Sequence, residues 1–212
     1  IHPMAHDQRD ALLELLRRQG PTLAGELISP LGISQPTLSR LTRSAARSLV
    51  RIGRARATRY AVPRDVGALG HSWPVYRIDA DGRAHSAAHL HALAPRAWWY
   101  ESAKPIPAWL HGEFANGLFP DLPWFLDDLR PQGFMGRAFA RRHGETLGLG
   151  TDPQRWSADG VLAALLRFGD DLPGSFVVGD TALGRVQQAA LHPPTSVPAS
   201  QRLTRLVDLA AA

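Results

Sequence analysis

The stretch GISQPTLSR, residues 32–40, carries side chains suited to the edges of base pairs. Gln35, Thr37, Ser39 and Arg40 fall in the opening turns of an expected helix. Amide and guanidinium groups there can make paired hydrogen bonds to a base in a major groove. Arg43, Arg47, Arg54, Arg56 and Arg59 follow. They suit phosphate oxygens, which set affinity and salt dependence but not sequence. No nucleophile with a matching base stands out, so no catalytic residue is assigned.

Ser34 is a fitting N-cap for that helix, and Pro36 lies in its first turn, where the missing N–H costs nothing. Leu38, Leu41, Ala45 and Leu49 mark its buried face. Upstream, Leu12, Leu15 and Leu16, with Leu13 flanking, place a first helix over 11–18, closed by Gly20 and Pro21. Thr22 is a candidate cap for a second, short helix running to about Ser29, which Ile28 and Pro30 are expected to shorten or tilt. Leu31, Gly32 and Ile33 form the turn. In VRIGRARATRYAV, residues 50–62, Ile52, Thr58, Tyr60 and Val62 alternate as two short strands would, with Arg54 and Arg56 at the tip and Arg59 close behind.

Residues 4–64 therefore resemble the winged helix-turn-helix domains of bacterial regulators. The resemblance implies double-stranded DNA as partner, with the hairpin as the wing; the sequence does not fix the oligomeric state, although a homodimer would suit a palindromic site. The plainer role of such a domain is protein contact or dimerisation. Charge favours DNA: residues 1–64 hold eleven Arg against Asp7, Asp10, Glu14 and Glu26, whereas residues 65–212 are net acidic by two.

The 212 residues suffice for one or two domains with a sizeable core. There is no Cys, which excludes disulfides and thiolate metal sites. No apolar run is long enough to span a bilayer and no signal peptide opens the chain, which reads as cytoplasmic. Ile1, His2 and Pro3 precede Met4 as a cloning remnant would.

Residues 65–191 are expected to form an α+β domain. Val75, Tyr76 and Ile78 mark a strand, the turn at 80–82 leads into a second extended or early helical piece, and 97–102 is a further strand. Short helices are expected over 107–118 and 121–130, a longer one over 135–142, and one over 158–168 capped by Ser157. A closing strand follows Pro173 and Gly174. Residues 192–212 read as a linker and the start of a following segment.

Several tempting sites have plainer readings. His85, His89 and His91 lack a nearby completing carboxylate, so no metal site is assigned. Asp127 with Asp128, and Asp170 with Asp171, suit helix ends and turns better than paired acids. Gly144, Gly148 and Gly150 fit neither a P-loop nor a dinucleotide fingerprint. Trp73, Trp98, Trp99, Trp109, Trp124 and Trp156 are expected in cores or interfaces, and Arg137, Arg141 and Arg142 on a solvated face.

FLDDLRPQG, residues 125–133, and LLRFGDDLPGSF, residues 165–176, carry a second resemblance. Phe125, Asp127, Leu129, Pro131 and Gly133, the basic helix through Arg137, Arg141 and Arg142, then Leu165, Gly169, Asp171 and Gly174, resemble the N-terminal subdomain of HipA-like toxin kinases. Together with the N-terminal segment they resemble the YjjJ-type branch of that family. The resemblance implies a serine/threonine kinase toxin of a toxin–antitoxin system, with ATP and Mg bound by a catalytic lobe that follows. That lobe's motifs are missing: Lys104 is the only lysine, and no Asp-based catalytic loop occurs. The chain is thus expected to be a regulatory N-terminal portion with no cofactor of its own. The alternatives are a stand-alone transcriptional regulator whose second domain binds an effector or dimerises, and, last, an enzyme with an unrecognised site.

Overall fold

The computed structural model describes residues 3–102, 114, 116–172, 174–191 and 197–211. Lys104, Trp109, Pro173 and most of the helix expected over 107–118 lie outside the described residues. Helix α1 (Pro3–Gln19) turns Leu12, Leu13, Leu15 and Leu16 inward. It stops at Gly20, whose φ of +84° suits a residue without a side chain.

Thr22 caps no helix. Thr22–Leu23 form strand β1, and the Thr22 hydroxyl donates to the Gly20 carbonyl at 2.8 Å. With its backbone committed to a β ladder, the segment enters helix only at a 3-10 turn over Ala24–Leu27. Helix α2 (Ile28–Leu31) is a single turn, ended by Gly32 in the left-handed region. Helix α3 (Gln35–Ser44) begins at Ser34, whose hydroxyl accepts the Thr37 N–H at 3.4 Å. It ends sooner than its apolar spacing suggests: Ala45 is the C-cap, Arg47 lies in a 3-10 turn over Ala46–Ser48, and Leu49 lies beyond. Strands β2 (Val50–Ile52) and β3 (Arg59–Ala61) form an antiparallel hairpin, with β1 on the outer side of β3.

The larger sheet has the order β7-β6-β5-β4-β8 and every pairing in it is antiparallel. It comprises β4 (Ser72–Ile78), β5 (Ala84–Leu93), β6 (Ala97–Ser102), β7 (Leu118–Phe119) and β8 (Phe176–Val178). The piece after the 80–82 turn is thus a ten-residue strand, and Leu118 lies in a strand. Helix α4 (Trp124–Asp127) is one turn where ten residues were expected, confined by Pro123 as its N-cap and by Pro131 beyond. Helix α5 (Gly133–Leu147) runs further at both ends, to Gly148 at φ +67°. Helix α6 (Ala158–Phe168) is capped by Ser157, and α7 (Asp180–Leu191) was not expected from the sequence. Helix α8 (Arg202–Ala211) follows the linker. The class is α+β.

Trp73, Val75, Leu90, Trp98 and Tyr100 on one sheet face pack against Leu126, Phe139, Val161, Leu162 and Leu165. A separate apolar cluster joins α1, α2 and α3. The two are stitched together where residues 62–64 run beside 92–94. The Ala94 N–H donates to Val62 and the Arg64 N–H to Ala92, both at 2.9 Å, around a Pro63–Leu93 bridge. Ala94 belongs to the helical cluster, and Ile52 and Ala61 of the hairpin pack on Leu93, Ala97, Trp99 and Leu118.

Candidate nucleic-acid interface

Helix α3 buries Leu38, Leu41 and Thr42, which leaves Gln35, Ser39, Arg40 and Arg43 exposed on its other side. The Arg43 guanidinium reaches the Ser39 hydroxyl at 3.5 Å. Thr37 is half-buried, and its hydroxyl lies 3.0 Å from that of Ser34, so it serves the cap. Arg47 is exposed on the turn beyond the helix. The hairpin tip carries Arg54 and Arg56, both exposed, on a backbone that turns sharply at Gly53. A side chain at Gly53 would come within 2.8 Å of the Ala57 carbonyl.

Arg59 is placed differently. It is half-buried in β3 and donates to the Pro21 carbonyl at 3.3 Å, back toward the end of α1. Two arginines were missed. Arg51 is exposed at mid-hairpin, and its signal was present, a cation between apolar Val50 and Ile52 in an alternating strand. Arg9 on α1 reaches the Ser48 hydroxyl at 3.5 Å and braces the turn that carries Arg47. Among the described residues, no carboxylate pairs with Arg40, Arg43, Arg47, Arg51, Arg54 or Arg56.

The histidines of β5 do have carboxylates beside them, contrary to the expectation from sequence. His85 pairs with Asp79 at 2.7 Å and His91 with Glu101 at 3.0 Å. They do not converge, and no group of three or more His, Asp or Glu able to hold a metal occurs among the described residues. His91 also stacks on Trp99, ring centres 5.0 Å apart, and burial lowers its pKa against the opposing pull of Glu101. One member of each acidic pair is tied down: Asp127 binds Arg130 at 2.7 Å, and Asp170 lies 3.6 Å from Arg185. Gly144 is buried within α5 and Gly148 ends it. Trp73, Trp98 and Trp156 are core residues, whereas Trp124 is half-exposed and Trp99 half-buried. Arg137, Arg141 and Arg142 lie exposed along α5.

A cleft of about 390 Å³ opens beside the stitch, lined by Arg64, Arg96, Trp98, Asp121, Ser157 and Asp159. The pieces 125–133 and 165–176 touch each other, with Phe125 and Phe176 ring centres 5.5 Å apart, and their residues have structural roles. Phe125 stands edge-on to Tyr100 at 5.2 Å, Gly136 leaves room for the Pro131 backbone, and Leu129 packs over Gly174.

These elements define an α+β chain with a basic helix-and-hairpin surface and an antiparallel sheet backed by helices. Residues 69–187 match the family described as "YjjJ-like toxin, middle domain", a span that contains both short pieces, and the chain belongs to that family. Over 195 residues it is 38% identical to the protein named "Toxin YjjJ" from Escherichia coli (strain K12), across 91% of this chain and 41% of that protein. The chain thus spans less than half the length of this relative. No solved structure matches it. No helix among the described residues is long and apolar enough to cross a membrane.

Proposed function

We propose that this chain is the DNA-binding, regulatory N-terminal portion of a HipA-like toxin kinase of a cytoplasmic toxin–antitoxin system. In this proposal residues 4–64 form a winged helix-turn-helix on operator DNA. Residues 65–191 form a HipA N-terminal-subdomain-like unit against a kinase lobe that this chain lacks. One observation carries the DNA-binding role: the exposed arginines of α3 and the hairpin have no carboxylate partner among the described residues. Unpaired guanidinium groups on adjoining elements are what a polyanion recruits.

Within that role Gln35, Ser39 and Arg40 meet base edges, and Thr37 acts mainly through the Ser34 cap. Arg43, Arg47, Arg51, Arg54 and Arg56 lie against phosphates, with Arg59 bracing the loop end of the hairpin stem on the Pro21 carbonyl. A homodimer would present two such surfaces to a palindromic operator. ATP and Mg belong to the kinase lobe. The only lysine of this chain is Lys104, and no step of phosphoryl transfer is assigned to its residues.

Fluorescence anisotropy with a labelled duplex from the gene's own promoter tests the role. Tight, salt-sensitive binding is expected, with log K falling by about 0.9 per neutralised phosphate for each unit of log salt. Replacing Arg40 and Arg43 together by Ala should weaken it at least tenfold. Affinity no better than for a scrambled duplex, and unmoved by that replacement, would overturn the proposal. The cleft beside Arg64 supports a second reading, a regulator that binds a small effector there; a ligand that raises Tm in a library screen would favour it.

A further inference from the structure

We infer that Arg64 is a positioning residue that locks the N-terminal unit in one orientation on the larger sheet, and that its ion pair with Asp159 is the part of the junction that can open. The inference deepens the DNA-binding proposal, on which its functional meaning rests. The backbone stitch at 62–64 and 92–94 is short, two hydrogen bonds around one bridge. Arg64 adds a side-chain tether to it. Its two terminal nitrogens meet both Asp159 oxygens, at 2.7 and 2.9 Å, across 95 residues of sequence. The guanidinium also lies over the Trp98 ring, 5.5 Å from its centre.

A forked guanidinium–carboxylate contact fixes direction as well as distance. Asp159 stands in the first turn of α6, a helix that buries Val161, Leu162 and Leu165, so the tether is anchored in the core of the sheet-and-helix layer. The rest of the junction is apolar or backbone. Gly20 faces the Pro95 ring, and Ile52 and Ala61 pack on Leu93. The ion pair borders the open cleft together with Pro95, and it is the polar part of the junction there, with 41% of the Asp159 side chain exposed. A partner or ligand in that cleft that competes for Asp159 would free the DNA-reading face to swing, and by linkage DNA held in the locked orientation would oppose it.

The absence of cysteine makes the test direct. Spin labels on Glu14→Cys of α1 and Arg141→Cys of α5, both exposed positions, report the distance between the two parts of the full chain. A single narrow distance distribution is expected with Arg64 and Asp159 intact. Asp159→Ala and Arg64→Met should each at least double its width without abolishing the melting transition, and Arg64→Lys should fall between because an ammonium lacks the fork. Arg64→Met leaves the first turn of α6 untouched and decides the matter if Asp159→Ala unfolds the chain. Unchanged widths in Arg64→Met would overturn the inference. Failure of the unmutated chain to bind promoter DNA, with the widths changing as stated, would overturn the DNA-binding proposal and leave Arg64 as the lock.

Discussion

The Leu129 side chain fills the space that a side chain at Gly174 would need, and so ties the turn after α4 to the turn before β8. Gly174 has a φ of +129°, a conformation that L residues rarely adopt. Gly174→Ala is therefore expected to destabilise the fold by about 1–3 kcal/mol through strain and overpacking together. The measurement is the midpoint of urea unfolding. In a Leu129→Ala background the cost of Gly174→Ala should shrink, and strict additivity would show that the two sites do not compete for space.

Ser34 governs how α3 starts. Its hydroxyl meets both the Thr37 N–H and the Thr37 hydroxyl. Loss of this cap in Ser34→Ala is expected to lower stability by about 1 kcal/mol, while Ser34→Asp should be close to neutral. Thermal melts of the two variants suffice, and equal losses in both would remove Ser34 from the role of cap.

Arg51 and Arg59 offer a contrast between neighbouring strands. Arg51 is exposed, whereas Arg59 is held on the Pro21 carbonyl. If the chain binds DNA as proposed, Arg51→Ala should lower the salt slope of binding by about 1 and leave Tm nearly unchanged. Arg59→Ala should do the reverse, lowering Tm with little effect on the slope. The reverse assignment in the binding isotherms would move the phosphate path to the other side of the hairpin.

Acid should weaken the larger sheet through His91. Burial holds its pKa below the ordinary 6.5, despite Glu101, so the fold favours the neutral ring. The stability this contributes is complete above 6.5 and is lost as pH falls through the lowered value. Tm is expected to fall as pH drops below about 6.5, and less steeply in His91→Gln. Parallel slopes in the two proteins would assign the acid sensitivity to other groups.

Local chemistry was legible wherever one residue dictates one geometry. Ser34, Ser157 and Gly20 mark helix ends in the sequence and occupy them in the structure. The β-branched and aromatic residues of 75–78 and 97–102 located β4 and β6, and the α+β class followed. What could not be read depended on distant partners. Thr22 looks like a cap until Arg59 and Tyr60 claim its segment as a strand edge. The α3 spacing runs on to Leu49, but the turn into β2 takes those residues first. Helix α7 was missed although Asp180 follows Gly179 at its start and Leu183 and Val186 stand at helical spacing. At the candidate interface the exposure of Arg40, Arg43, Arg54 and Arg56 followed from pattern, whereas the inward placement of Arg59 depends on a carbonyl 38 residues away. Nothing in the sequence joins Arg64 to Asp159.

The hairpin stem is packed down, with Ile52 and Ala61 seated on Leu93 and the neighbouring sheet residues, while the exposed segment from Gly53 to Ala57 extends past it. While the Arg64–Asp159 pair is closed the stem is held against the sheet, which leaves the exposed distal residues as the least packed part of the hairpin. If the chain binds DNA as proposed, duplexes with wider or narrower grooves would be accommodated there, and the tip sequence, more than the stem, would tune the fit.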